Sequence, residues 1–256
     1  MDNDSAEIES LGKHKKGMSR RQFIALLAAA GVVTGLGVRK AKIFSRNAKG
    51  KILIIGGGAA GLSMAARLSQ YLKDPDITLI DPSDRQYYQP GFTLIASGVY
   101  KPDEVWKTQA ACVPDGIKWI KDAVANVDPV KQSVTTHTNG SFAYDFLVLT
   151  PGLQINWEKV EEITHATLGQ GNAHSIYDFE GAQKTWAAIQ EFSKTGGRGI
   201  FTDTYTKHKC GGAPKKICLL TEHYTRKQDS RSKIKLDFYT ASKELYAVLY
   251  ITLRLE

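Results

Sequence analysis

Apolar residues along this chain fall into short blocks with two periods. Lys51–Ile55 (KILII) is a nearly continuous apolar run, the pattern of a strand buried on both faces of a parallel sheet. Leu62, Ala65, Ala66, Leu68 and Leu72 then recur at helical spacing through LSMAARLSQYL, and Asp74-Pro75 ends that helix. Ile77–Ile80 (ITLI) reads as a second buried strand, closed by Asp81. Gly116–Ile120 (GIKWI) and Ala123–Val127 read as further short strands. Val134–Thr136 and Ser141–Tyr144 flank HTNG, where Asn139-Gly140 is a hairpin signal. Tyr144–Thr150 (YDFLVLT) is an apolar strand that runs into Pro151-Gly152. Farther on, a strand at GIFT leads through a polar loop to a helix over KKICLLTEHYTRK. That helix has Pro214 in its first turn and Ile217, Leu220 and Tyr224 on one face. The last residues, LYITLRLE, alternate Leu249, Ile251, Leu253 and Leu255, a strand pattern.

Between the first strand and the first helix stands Gly56-Gly57-Gly58-Ala59-Ala60-Gly61, which contains G-x-G-x-x-G at Gly56, Gly58 and Gly61. Each part has a physical task. Gly56 permits the tight turn out of the strand, Gly58 lets the backbone approach a pyrophosphate, and Gly61 lets helix and strand pack closely. The helix start, Ala60 included, offers unpaired N–H groups and the positive end of the helix dipole to the phosphates. Asp81, twenty residues beyond Gly61, ends the second strand where a carboxylate accepts hydrogen bonds from a ribose. The glycines alone are a weak signal. Strand, glycines, helix, strand and terminal acid in that order are a strong one for a dinucleotide site.

Composition narrows the class. The chain has 256 residues, 42% hydrophobic and 23% charged, which is ordinary for globular domains. Its net charge of +8 is unevenly placed. Residues 1–50 carry ten Lys/Arg against four Asp/Glu, residues 205–235 carry nine against two, and the remainder is net negative. No basic face with interleaved aromatics runs along the body, so nucleic acid is not an expected partner. Cys112, Cys210 and Cys218 are too few for a disulfide scaffold, none has metal-ligand spacing, and the six histidines stand singly, so no metal site is expected.

The first fifty residues read as an address. Phe23–Val38 is apolar but short for a membrane span and fits a signal h-region. Arg20-Arg21 directly before Gln22-Phe23-Ile24 resembles the twin-arginine export signal. The expected location is therefore the periplasm or the outer face of the cytoplasmic membrane. Arg39, Lys40 and Lys42 stand where a cleavage site would need small residues, which leaves late cleavage and retention as an anchor both open.

Three stretches carry a family resemblance. They are the glycine loop with Asp81, DPSDRQYYQPGFTLIASG (Asp81–Gly98), and KCGGAPKKI (Lys209–Ile217). Together they resemble sulfide:quinone oxidoreductases of the FAD-dependent pyridine nucleotide-disulfide oxidoreductase superfamily. The YYQPGFTL segment discriminates most, since a generic FAD domain does not require it. TPG at Thr150–Gly152 is similar to the returning strand of such flavoproteins, which touches FAD. The resemblance covers roughly Lys51 to Leu245. It implies an α/β fold: a Rossmann-like FAD-binding domain with a small β insertion (47–155), then an incomplete second dinucleotide-binding-like domain (156–256), after a leader over 1–46. It also implies FAD held by Gly56, Gly58, Ala60, Gly61, Asp81, Thr150 and Gly152. The implied activity is oxidation of sulfide to sulfane sulfur at a cysteine–FAD centre, with reduction of a quinone at a membrane surface. Self-association is left open.

Cys210 is the candidate redox thiol. Gly211-Gly212 permits unusual dihedrals beside it, and it sits just ahead of a helix start near Lys209, Lys215 and Lys216, all of which favour thiolate over thiol. The residues alone are equally consistent with a small side chain in a tight turn; the resemblance favours catalysis. Cys218, among Ile217, Leu219 and Leu220, reads as core, and Cys112 as structural. The loop after GIFT carries this cysteine in place of a second G-x-G-x-x-G, which disfavours pyridine nucleotide. Full-length members of the family continue well beyond 256 residues, and the second redox cysteine and quinone pocket belong to that region, so impaired turnover by this polypeptide is the expectation. Two other readings are kept: the flavin subunit of a flavocytochrome c sulfide dehydrogenase, and a non-catalytic FAD-binding remnant.

Overall fold

A computed structural model describes residues 49–204, 206, 208–243 and 245. The expected leader and the alternating tail at 249–256 lie outside the described residues. The chain divides into two compact units, residues up to Gln86 with Thr108–Gly152, and Tyr87–Lys107 with residues from Leu153 onward.

The first unit is built on a parallel sheet. Strand β1 (Lys51–Ile55) leads through the glycine loop to helix α1 (Ala59–Tyr71) and then to β2 (Asp76–Ile80). Short β3 (Arg85–Tyr87) and β4 (Trp106–Thr108) pair where the chain leaves this unit and returns; helix α2 (Phe92–Ile95) lies between them in sequence. After β4 come helix α3 (Gln109–Cys112), β5 (Lys118–Ile120), and β6 (Val124–Asp128), β7 (Ser133–Thr136) and β8 (Ser141–Ala143), before β9 (Phe146–Leu149). The strand order β5-β2-β1-β9 is parallel throughout, with Ile52 opposite both Ile77 and Phe146. Four of the five residues of β1 are buried, because helices and the insertion cover both faces. One face packs Ile52, Ile54, Leu62, Ala65, Leu68, Ile77 and Leu79 together, with half-buried Cys112 against them. The other packs Leu53, Ile55 and Ile80 against Val134 and Tyr144 of the insertion.

That insertion is the antiparallel sheet β6-β7-β8. Its Asn139-Gly140 turn has Gly140 at φ +79°. Buried Asp122 gathers the turn: its Oδ2 accepts from Thr138 N and Oγ1 and from Asn139 N and Nδ2, at 2.8–2.9 Å. Burial alone pushes this carboxyl up, but the hydrogen bonds from Asn139 and Thr138 outweigh it and hold the group well below the usual carboxylate range.

The second unit holds helix α4 (Phe179–Thr195), β10 (Gly197–Thr202), α5 (Ala213–Lys227) and β11 (Ile234–Tyr239). Strands β10 and β11 pair in parallel from Gly197↔Ile234 to Thr202↔Tyr239, joined through α5 as a β-α-β unit. The segment 87–107, which the linear reading places in the first domain, contributes Phe92, Ile95, Ala96 and Val105 to this unit's core beside Ala182, Ile189, Ala213 and Ile217. The YYQPGFTL stretch therefore has a packing role: Tyr87 meets Phe179 at 5.1 Å and Phe92 at 5.8 Å between ring centres.

Two local expectations need correction. Helix α5 buries Ile217, Thr221 and Thr225, while Leu220 is only half-buried. The threonines are tolerated inside because their hydroxyls bond to the helix backbone, Thr221 Oγ1 to Ile217 O at 2.8 Å and Thr225 Oγ1 to Glu222 O at 2.9 Å. Cys218 is half-buried, not enclosed, and Leu219 beside it is exposed. Partial burial still pushes the Cys218 thiol up. No helix among the described residues is long and apolar enough to cross a membrane.

Candidate functional site

The first unit brings Gly56, Gly58, Ala60, Gly61, Asp81, Thr150 and Gly152 to one end of the parallel sheet. The chain leaves β1 through Gly56 at φ +96°, and a Cβ there would stand 2.1 Å from Thr150 O. A Cβ on Gly61 would stand 1.8 Å from Gly56 O, so helix and strand touch through this glycine. A Cβ on Gly58 would meet nothing within 4 Å. Turn, close packing and open approach are thus divided among the three glycines as the motif requires. Leu62 N makes the first intrahelical bond, to Gly58 O at 3.0 Å, so the N–H groups of Ala60 and Gly61 precede the helix ladder and are available to an anion.

Asp81 is already engaged within the loop. Its Oδ2 accepts from Gly57 N at 2.6 Å and its Oδ1 from Ser83 N at 2.8 Å, so it braces the loop from below. Thr150 closes the other side. Its N–H donates to Ile55 O and its hydroxyl reaches Ile55 O and Gly56 O at 2.8 and 2.9 Å. Gly152, at φ +77° with open space around it, lies three residues beyond the end of β9.

Two residues of this site escape a reading of the motif. Gln109 is fully buried and donates from Nε2 to Gly57 O at 2.8 Å, while its Oε1 has no partner among the described residues. Gln86, with its amide turned to satisfy both ends, donates to Gly57 O at 3.1 Å and accepts from Ala59 N at 3.3 Å. Nothing in the linear pattern marks either one, since Gln109 lies 52 positions from the glycine it holds. An open backbone at Gly58, free helix-start N–H groups and a buried acceptor beside the loop fit a dinucleotide phosphate ester and its sugar.

Cys210 belongs to the second unit. It is exposed, and it sits at φ +53°, a left-handed conformation that side chains rarely adopt. The sequence assigns the unusual dihedrals to Gly211-Gly212; the structure puts the strain on the cysteine itself, and Gly212 is ordinary αR at the helix N-cap. The turn is held by Ala213 N to Cys210 O at 2.8 Å and by the Tyr177 hydroxyl to the same oxygen at 3.4 Å.

The three lysines also separate. Lys216 Nζ lies 3.7 Å from Cys210 Sγ and donates to it. Lys209 instead donates to Gln89 Oε1 at 2.9 Å, and burial pushes its ammonium down against the opposing pull of Asp178. Lys215 is buried in an ion pair with Asp203 and donates to Gly211 O at 3.1 Å. Burial pushes the Asp203 carboxyl up, but the bonds from Lys215 and Thr240 prevail and hold it below its ordinary value. Tyr177 is pushed up to about 12 by burial and by the charges of Cys210 and Asp203.

Residues 50–186 match the family model described as pyridine nucleotide-disulphide oxidoreductase. The chain belongs to the pyridine nucleotide-disulphide oxidoreductase family. It is 37% identical over 221 residues to a mitochondrial sulfide:quinone oxidoreductase of Dictyostelium discoideum, covering 85% of this chain and 48% of that protein. It is 32% identical over 198 residues to the mitochondrial sulfide:quinone oxidoreductase of Mus musculus, covering 43% of it. The X-ray structure of sulfide:quinone oxidoreductase from Aquifex aeolicus matches with a TM-score of 0.66 at 26% identity, covering 77% of this chain and 44% of that one. The matched region thus spans less than half the length of each of these relatives.

Proposed function

We propose that the chain carries the FAD-binding and thiol-bearing part of a sulfide:quinone oxidoreductase. What supports this most is the glycine loop, with Gly58 open to a ligand and the N–H groups of Ala60 and Gly61 ahead of the helix ladder, in a chain whose curated relatives bear that name. Gly56 to Gly61 would hold the pyrophosphate, with Ala60 and Gly61 donating. Asp81 would hold the ribose with the oxygen lone pairs its two backbone bonds leave free. Gln109 Oε1 would supply a further acceptor.

When bound, the flavin supplies a two-electron acceptor for sulfur oxidation. Cys210 would supply the sulfur that bonds to sulfide, the two electrons released as that S–S bond forms going to the acceptor the flavin provides. It is exposed, as a substrate-meeting thiol must be, and Lys216 places a positive charge on it. Quinone is the proposed electron acceptor, and export by the twin-arginine route the proposed itinerary.

The test is reconstitution of the purified chain with FAD, followed by its visible spectrum and anaerobic addition of sulfide. Bound flavin bands are expected, with sulfide-dependent bleaching that Cys210→Ser abolishes. Absence of flavin bands would refute the cofactor assignment. Bleaching that survives Cys210→Ser would refute the thiol.

A further inference from the structure

The loop that carries Cys210 also carries an imidazole whose second nitrogen has no hydrogen-bond partner among the described residues. His208 Nδ1 lies 3.0 Å from Thr206 O. A carbonyl oxygen only accepts, so Nδ1 carries the hydrogen and Nε2 of the neutral ring is an acceptor. Nε2 is buried and has no partner among the described residues. It lies 3.9 Å from the point where a Cβ on Gly211 would stand, next in the chain to the thiol. The ring is also fixed: Tyr177 meets it edge-on, with centres 6.0 Å apart at 87°, and the same tyrosine's hydroxyl holds Cys210 O at 3.4 Å. Cys210 and His208 are thus positioned by one side chain.

A buried ring nitrogen that has given up solvent without gaining a hydrogen bond destabilises the fold, so a residue placed this way is a candidate for work outside folding. We propose that His208 is the proton acceptor for the Cys210 thiol. The Cys210 S–H bond breaks, its electron pair stays on sulfur, and the proton passes to His208 Nε2, which lies against the Gly211 side of the same turn. The products are a thiolate beside the Lys216 ammonium and an imidazolium whose Nδ1–H remains on Thr206 O. The charged groups around the pair agree with this. The Asp203 carboxylate, paired with Lys215, attracts a cationic His208, Lys216 faces the sulfur, and Lys209 is turned to Gln89. The ionisable Tyr177 phenol stays neutral at any pH of interest.

This inference rests on Cys210 being the reactive thiol, and alkylation separates the two claims without any turnover assay. The full chain is treated with iodoacetamide from pH 5 to pH 8 at fixed ionic strength, and the labelling rates of Cys210, Cys112 and Cys218 are read by peptide mass spectrometry. His208→Asn should slow Cys210 about tenfold near neutral pH and remove the histidine-dependent part of its pH profile. Cys112 and Cys218 should keep their rates, which reports an intact fold. Free imidazole should restore the Cys210 rate in His208→Ala and leave Lys216→Met unrescued. A reactive Cys210 whose rate and profile ignore His208 overturns the inference alone; an inert Cys210 in the unaltered chain overturns the thiol assignment and the inference with it. Should His208→Asn loosen the fold, shown by a faster Cys218, the unaltered chain decides. A Cys210 rate that rises only in proportion to hydroxide across this range would refute the role.

Discussion

A methyl group on Gly61 would stand 1.8 Å from the carbonyl oxygen of Gly56, whereas one on Gly58 would meet nothing within 4 Å. These two positions therefore separate folding from binding. Gly61→Ala should cost about 3 kcal/mol or more, because backbone must move, and thermal melting should fall by roughly 10 °C. Gly58→Ala should leave the melting temperature nearly unchanged and weaken FAD about tenfold in a fluorescence titration, since the methyl fills the space the pyrophosphate needs. The buried pair of Asp203 and Lys215 offers a third test. Removing one partner with Lys215→Met leaves an uncompensated buried charge and should cost about 3–5 kcal/mol. Asp203 also makes stability depend on pH. Its carboxyl is held below its ordinary value in the folded state, so it stabilises the fold above the unfolded value of about 3.9, and that contribution is lost as pH falls below it. Asp203→Asn should flatten the acid limb of a pH–stability curve measured by denaturant unfolding. None of this is marked in the sequence around Asp203 or Lys215, since the pair forms across twelve residues of loop and helix start.

Helix α4 shows what an element needs in order to be readable. It is seventeen residues long, and its buried face is Gly181, Ala182, Thr185, Ile189 and Ser193. Ile189 is the one large apolar residue among these, with Phe179 and Trp186 packed only partly buried beside them, so the helical period is weak, although the ends are well signalled. Asp178 caps the start, accepting from Gly181 N at 2.5 Å, and Gly196 ends the helix at φ +76°. Asp178→Ala should cost about 1 kcal/mol and lower the melting temperature by about 2–4 °C. Small and hydroxylated residues suffice inside because Thr185 Oγ1 donates to Gly181 O at 2.7 Å and Ser193 bonds Ser230 at 2.7 Å. By contrast, β1, α1 and β2 announce themselves, since their buried positions are Leu, Ile and Ala in unbroken or helical order. The β7–β8 hairpin is equally legible from Asn139-Gly140, yet its buried Asp122 anchor is not, being sixteen positions upstream.

Over the whole molecule, FAD should act as a ligand of the native state. At a hundredfold excess over its dissociation constant it would add about 2.7 kcal/mol, and hydrogen exchange should slow over residues 51–81. The chain alone was sufficient for the parallel sheet, the division of labour among Gly56, Gly58 and Gly61, and the family resemblance. Each of these rests on neighbours in sequence: a strand, a turn and a helix start set by a few consecutive side chains. Tertiary structure alone decided the rest. It placed Gln109 and Gln86 on the glycine loop, moved residues 87–107 into the core of the second unit, gave the left-handed strain to Cys210, and left Lys216, of three candidate lysines, on the thiol. These are consequences of packing between segments far apart in the chain, where burial and hydrogen-bond satisfaction, not local preference, choose the partner.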